Sequence, residues 1–555
     1  METQPATPEA RKSERANLAG ATVILALGNL LSRVLGLARE MVLTFFFGAS
    51  AVVDAFQVAL IVIRAAYDLL IGGHVNGAIV PILSEIVTVQ GKKELWRVVN
   101  ALMSLTTFAL ASLVCLMFVF AQPIVDATAS GASEATRQTA ADLLRLTSPA
   151  LVFMGVFAVL SGTLYALKQF AFPAFASAVL NGTIVLVTLA FAPSVQLALV
   201  PATHEAYLRP LVLVRPSDGI VIVAVGWLVG AFAQMALQLV GLRGAHLRLM
   251  VRWGHPALRR IALLYAPVML SLIMDTLIMR PYTYNLASQT GDGSIAYMNW
   301  ATTLIQFPQG LVATAISVAI LPMLSAHMAQ ADGASQRAFK DTLGLGLRFA
   351  ITLIIPATFG LWALGYPIVQ MLFEHGAFVA KDTAITVQAL HFYLLGLPFA
   401  AIDLLLVYAF YARKDTLTPT LIGIFSLVVY MAVAAWLLPS FGLFSLMIAD
   451  SVKHAVHAVV SGILLGRKIG TLGEQRLFAT TFKTLLAGLG MSAVAWLITP
   501  IVTQAIGAGN IVGEALIVGI CGTTSALIFV VLALSMGVEE VRWAMTLVKK
   551  RMRRS

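Results

Sequence analysis

The chain has 555 residues, 59% hydrophobic and 11% charged, with a mean hydropathy of +0.89 and a net charge of +11. Soluble domains carry roughly 25% charged residues, so composition excludes a water-facing globular fold and points to a protein that spans a membrane many times. Apolar runs of roughly 20 residues indicate helices, because a barrel would show short alternating strands.

The polar opening "METQPATPEARKSERA" lacks a small-residue cleavage site, so residues 1–17 are expected to be a cytoplasmic tail and no removable signal peptide. Fourteen candidate spans follow: 18–47, 53–86, 98–122, 138–164, 172–192, 219–242, 258–288, 294–328, 343–370, 384–411, 418–439, 442–466, 480–503 and 509–536. The second and eighth are long and interrupted by Gly or Pro ("IGGHVNGAIVP", "FPQG"), which predicts broken or bent helices. Cys115 and Cys521 both fall in apolar spans and offer no disulfide or metal framework.

A basic chain raises the question of nucleic acid, and the placement of its charge answers it. With the N-terminus inside, 27 of the 37 Lys and Arg fall in cytoplasmic segments, and only Arg137, Arg145, Arg209, Arg215 and Lys381 fall outside. Basic residues gather in cytoplasmic loops of membrane proteins. The charge therefore places both termini in the cytoplasm and favours contact with anionic phospholipids rather than nucleic acid.

The chain also repeats itself. "GAIVPILSE" (77–85) closes the second span and "VAILPMLSA" (318–326) closes the eighth, 241 residues later. "YALKQFAFP" (165–173) follows the fourth and "YARKDTLTP" (411–419) follows the tenth, 246 residues later. Two copies of a six-span unit separated by an even number of spans share one orientation, an arrangement that encloses a midplane cavity. The expected division is an N-lobe at 18–243, a basic linker at 244–257, a C-lobe at 258–467, a final helix pair at 478–537 and a basic tail at 538–555.

Five basic residues remain inside the spans: Arg33, Arg39, Arg64, Arg280 and Lys453. An arginine at the bilayer centre costs roughly 2.5–3.5 kcal/mol on insertion scales and marks a functional site or an ion pair. The functional reading is a cationic cavity for an anionic headgroup, since guanidinium grips phosphate bidentately. The alternative is pairing: Arg33 with Glu40, Arg64 with Asp68, Arg280 with Asp275. Asp54 reads equally as a cavity gate or an interfacial loop residue. In the twelfth span Asp450, Lys453, His454 and His457 lie near one helix face, either as a proton or sodium relay or as a polar seam. Asn181 and Gln306 read as interhelical hydrogen-bonding residues.

There is no Gly-rich nucleotide loop, no metal-spaced His/Cys cluster and no nucleophile elbow, so no catalytic residue, metal or cofactor is assigned. A membrane-embedded glycan-processing enzyme would need a catalytic carboxylate on the outer side. Asp126, Glu134, Glu205 and Asp218 are available there, in no evident constellation.

"SRVLGLARE…FFGAS…DAF", "GAIVPILSE", "FPQGLVATAISVAILPMLS" and "YARKDTLTP" together resemble the MurJ (MviN) family of lipid II flippases, within the multidrug/oligosaccharidyl-lipid/polysaccharide exporter superfamily, over almost the whole chain. The resemblance implies an all-α polytopic fold of 14 transmembrane helices: two six-helix pseudo-symmetric lobes around a cationic cavity, and a final pair forming a groove for a lipid tail. It implies a monomeric flippase of the bacterial inner membrane, alternating access driven by Na+, H+ or membrane potential, and lipid II as the partner. Arg33 and Arg39 match the family's arginines, Glu40 its acid and Asp54 its "TDAF" aspartate. The family's paired arginines in the second span are Tyr67 and Asp68 here, its glutamate there is Gly72, and an arginine of the eighth span is Thr303. The eleventh span has no Asn or Asp for a sodium site.

Arg64 and Arg280 are therefore expected to supply the missing cationic charge, with Arg33, Arg39 and Asp54 binding substrate and Asp275, Asp450 and His454 serving ion coupling. Other readings are a flippase for another undecaprenyl-linked glycan, a drug/ion antiporter, or an inactive scaffold.

Overall fold

The structure, a computed structural model, describes residues 8–72, 79–191, 196–197, 213–214, 219–243, 245, 247–248, 254–328, 333–507 and 509–552. It is a polytopic all-helical protein. In hydrocarbon every backbone N–H and C=O must be satisfied within its own segment, and Leu-, Ala- and Val-rich runs meet that demand as helices.

The described residues of the fourteen segments are largely helical. Among the described residues nine helices are long and apolar enough to cross a membrane, or eleven when each bent pair counts as one span. The other three are the first, second and seventh segments, which carry Arg33, Arg39 and Glu40, then Arg64 and Asp68, then Asp275 and Arg280. Outside the helices, β1 (Gln196–Leu197) and β2 (Leu213–Val214) pair antiparallel, with Gln196 opposite Val214.

Two compact units divide the chain, Met1–Gly293 and Ser294–Ser555. In the first, α1 (Pro8–Phe47) lies along α8 (Ala171–Phe191), which packs on α9 (Ile220–Gly241). The closest approach is at Gly28, where a Cβ would sit 2.3 Å from the carbonyl oxygen of Ala174. The second segment is α2 (Ala51–Tyr67), a π turn at Asp68–Gly72 and α3 (Val80–Val89). Next come α4 (Lys92–Val119), α5 (Ala121–Thr128), α6 (Glu134–Thr147) and α7 (Ala150–Ala166). The seventh segment, α10 (Pro256–Ile273), a π turn at Met274–Met279 and α11 (Arg280–Ser288), also belongs to this unit. Ile82, Leu95, Leu160 and Leu258 meet in its core.

The second unit opens with α12 (Ser294–Pro308), a π turn at Gln309–Thr314 and α13 (Ala315–Met328). The long α14 (Gly333–Phe373) follows, then α15 (Ala380–Leu394), α16 (Leu397–Ala412), α17 (Leu417–Phe441) and α18 (Phe444–Ile469). Phe339, Leu343, Phe410 and Leu465 form a core between them. The last pair is α19 (Leu477–Ile506) and α20 (Ile511–Ser535). The basic tail forms α21 (Glu539–Met552), held to α14 by Arg348–Glu540 at 2.6 Å and a Phe349–Trp543 ring contact at 5.1 Å.

The internal repeat is visible in the backbone. α6 and α7 are bent by 42°, and so are α15 and α16, whose first helix starts 246 residues later. The π turn at Gln309 starts 241 residues after the one at Asp68. Lys168 and Lys414, also 246 apart, both adopt left-handed backbone angles (φ 59° and 60°) where glycine is the usual choice. Each closes its helix, with Gln169 N donating to Leu164 O and Asp415 N donating to Phe410 O.

Candidate functional site

The ionisable side chains inside the membrane segments fall into groups, each within one unit. In the first unit, α1 brings Arg39 to α8 and α9. Arg39 Nη1 donates to Asn181 Oδ1 at 3.0 Å and Nη2 to Glu40 Oε1, while Asn181 Nδ2 reaches back to the carbonyl of Ser32 at 3.4 Å. Its guanidinium carbon lies 5.7 Å from the ring centre of Trp227 on α9, and that of Arg64, on α2, lies 5.2 Å from the same ring. Trp227 is 3% exposed, and its indole N–H has no hydrogen-bond partner among the described residues. Arg64 forms no ion pair among the described residues, although Arg39, Glu40, Asp68 and Tyr284 lie within electrostatic range.

The expected pairings are thus partly rearranged. Glu40 pairs with its neighbour Arg39. Asp68 is held by Arg280 (Nη1–Oδ2, 2.7 Å), which comes from 212 residues away, and the same arginine pairs with Asp275 at 3.0 Å as its spacing suggested. The π turns make this possible: both aspartates sit in them, where the i→i+5 pattern displaces a side chain from the regular helix face.

Arg33 is exposed on α1. Asp54 is buried, and its carboxylate accepts from the backbone N–H of Gly293 at 2.7 Å. That glycine has φ +82°, and a Cβ on it would lie 2.8 Å from Ala49 O, so the carboxylate fixes a turn only glycine can make.

In the second unit Asp450 binds Lys453 at 2.5 Å and lies 3.7 Å from His454. His457 is paired with Asp403 of α16, an intramembrane acid that the sequence reading passed over although such a residue is a functional candidate by its position alone. Trp227 was also passed over. An apolar aromatic in an apolar helix carries no signal until its neighbours are known. Asn181 bridges helices as expected, whereas Gln306 is exposed. On the loops, Asp126 and Glu134 both pair with Arg137, at 3.3 and 2.5 Å, while Glu205 and Asp218 lie outside the described residues.

The second unit also has an apolar groove of about 1420 Å³ between α14, α15, α16 and α19, lined by Trp362, Leu489, Trp496 and Leu497 among others. Of the last helix pair, α19 lines it, while α20 walls a separate pocket of about 780 Å³ with α14 and α21. Trp362 stacks on His391 at 4.6 Å at the groove wall.

A polytopic helical bundle with arginines in its spans, an internal repeat and an apolar groove defines an exporter-type membrane transporter. The family described as lipid II flippase MurJ matches residues 43–514, and the chain belongs to that family. A lipid II flippase MurJ of Burkholderia cenocepacia is 30% identical over 430 residues, covering 74% of this chain and 77% of that protein. The solved structure "Lipid II flippase MurJ, inward closed conformation" has a TM-score of 0.71 at 20% identity, covering 92% of this chain and 98% of its own. An inward-facing MATE family transporter of the MOP superfamily follows with a TM-score of 0.58 at 15% identity, covering 82% and 99%.

Proposed function

We infer that this chain is a multi-pass protein of the bacterial inner membrane that carries lipid II from the cytoplasmic to the outer leaflet by alternating access. It is a transporter and not an enzyme. The observation that carries the proposed binding mode is the pair of guanidiniums, Arg39 and Arg64, set over one buried indole with a single paired carboxylate, Glu40.

Around Trp227 two guanidiniums, Arg39 and Arg64, stand with one ion-paired carboxylate, Glu40, while Asp68 and Asp275 are held by Arg280. A pyrophosphate brought to Arg39 and Arg64 supplies the anion they lack, and bidentate guanidinium contacts orient it. Binding that differs between inward- and outward-facing states is what moves the cargo. Arg64, shifted from the position of the family's paired arginines, restores the charge lost at Tyr67 and Asp68. Asp54 acts through the Gly293 turn. The apolar groove along α19 suits a polyprenyl tail. Both termini lie in the cytoplasm, the basic loops meet anionic phospholipid, and the carrier works as a monomer.

The test is complementation of a conditional lipid II flippase depletion, with Arg39→Ala and Arg64→Ala beside the intact chain. Rescue by the intact chain and loss in both variants, at equal membrane levels, is the expected result. An intact chain that inserts but does not rescue overturns the lipid II reading. Variants that rescue fully overturn the role of the arginines.

A further inference from the structure

The second unit holds a set of ionisable side chains that the binding reading does not use. Asp403 Oδ1 on α16 meets His457 Nδ1 on α18, and Ser461 Oγ lies 3.3 Å from the same nitrogen. Earlier on α18, Asp450 pairs with Lys453 and neighbours His454. Lys453 also lies 5.7 Å over the ring of Tyr430 on α17. These five ionisable side chains are mostly buried, with exposures of 13–25%.

The helices packed on α16 and α18 bring other ionisable groups, which are engaged elsewhere. Asp341 and Arg348 of α14 bond to Gln475 and Glu540. His327 of α13 meets Thr342, and Asp382 and His391 of α15 meet Tyr297 and the Trp362 carbonyl.

A charge count identifies which group takes a proton. Two carboxylates, Asp403 and Asp450, face one ammonium, Lys453. With both imidazoles neutral the cluster carries one net negative charge, which is costly inside a bilayer. One added proton balances it. Asp450 already has Lys453, so the open demand is at Asp403, whose partner is His457. In the neutral ring Nδ1–H donates to Asp403, and the incoming proton settles on Nε2. That nitrogen faces Gly423 of α17, where a Cβ would come within 3.8 Å of it.

We propose that Asp403 and His457 form a one-proton binding site, and that this proton is the ion exchanged in the transport cycle. The second half rests on the lipid-carrier reading above. His454 has Asp450 and Lys453 as neighbours in an already balanced pair, so it is a bystander in this scheme.

The test uses the full chain in proteoliposomes with the membrane potential clamped and a proton gradient imposed. Lipid II flipping by the unaltered protein is expected to rise several-fold with the gradient. Asp403→Asn and His457→Gln are expected to lose the response to the gradient, while His454→Gln keeps it. A His457→Gln response equal to that of the unaltered protein, or no response in the latter, overturns the coupling.

A second readout needs no lipid substrate: the ring nitrogens of His457, followed by ¹⁵N NMR in nanodiscs. On acidification the ring is expected to carry a proton on both nitrogens in the unaltered protein and on one only in Asp403→Asn under the same conditions. One protonated nitrogen in both overturns the site. A chain whose His457 takes the second proton but moves no lipid II under any gradient sinks the carrier reading, and the coupling with it, and leaves the proton site standing.

Discussion

The two units solve the problem of charge in hydrocarbon in opposite ways. In the first, two guanidiniums gather on one aromatic face, Arg39 and Arg64 sharing Trp227, with a single ion-paired carboxylate beside them. In the second, carboxylates outnumber the fixed cation, and histidines that can change charge stand beside them. Arginine stays charged at any accessible pH and histidine does not. The first arrangement therefore suits a permanent anion and the second a transient cation.

The sharpest way to break this contrast is at Arg39. Arg39→Ala removes charge-assisted bonds to Asn181 and Glu40, each of a kind worth about 1.5–3 kcal/mol. Flipping rate in proteoliposomes is expected to fall at least tenfold; a fall of less than twofold would mean that this guanidinium is not used for binding. Arg280 tests how far pairing alone explains the first unit. Arg280→Ala leaves Asp68 and Asp275 without their partner and is expected to cost about 1–3 kcal/mol of stability. Adding Asp68→Asn and Asp275→Asn should restore thermal stability in detergent, and flipping that returns with it would make Arg280 purely structural.

A smaller effect is expected at the aromatic platform. Trp227→Leu removes two cation–π contacts, each worth roughly 0.5–1 kcal/mol, and should slow flipping several-fold, whereas Trp227→Phe keeps a ring face and most of the rate. Equal loss in both would shift the role from the ring to the indole N–H.

The mildest effect lies outside both clusters, in the loop before α17. Burial pushes the Asp415 carboxyl up, but Lys468 together with the N–H and hydroxyl of Thr418 outweighs it and holds the group down at about 2. A carboxyl held below its unfolded value of about 3.9 stabilises the fold above that pH, and the contribution is lost as pH falls from about 4 to about 2. Lys468→Met should flatten that part of the stability profile, measured by thermal unfolding across the acid range. An unchanged acid limb would show that the clasp contributes nothing.

Much of the fold was legible because hydropathy and charge placement act locally along the chain. The apolar helical segments, the repeat and the interruptions of the second and eighth segments all express themselves in contiguous residues. Asn181 was legible too, since a lone amide in an apolar helix needs a partner. What the sequence hid depends on contact between distant segments. The Asp68–Arg280 pair joins residues 212 apart, and nothing in the spacing of either prefers it to a partner four residues away. The helix-face argument found His457 but not Asp403, because the acid stands alone on another helix. The π turn at Met274–Met279 has no glycine or proline within it to announce it; Pro281 follows only two residues later.

The π turns have a further consequence for how such a helix can move. Each holds one residue more per turn than the α pattern allows. Expelling that residue advances the following segment by one α-helical step, about 1.5 Å of rise and about 100° of rotation. A helix with this insertion changes its twist in a fixed increment rather than by continuous bending. Asp68 and Asp275 sit inside such insertions, so the increment would carry a carboxylate from one helix face to another.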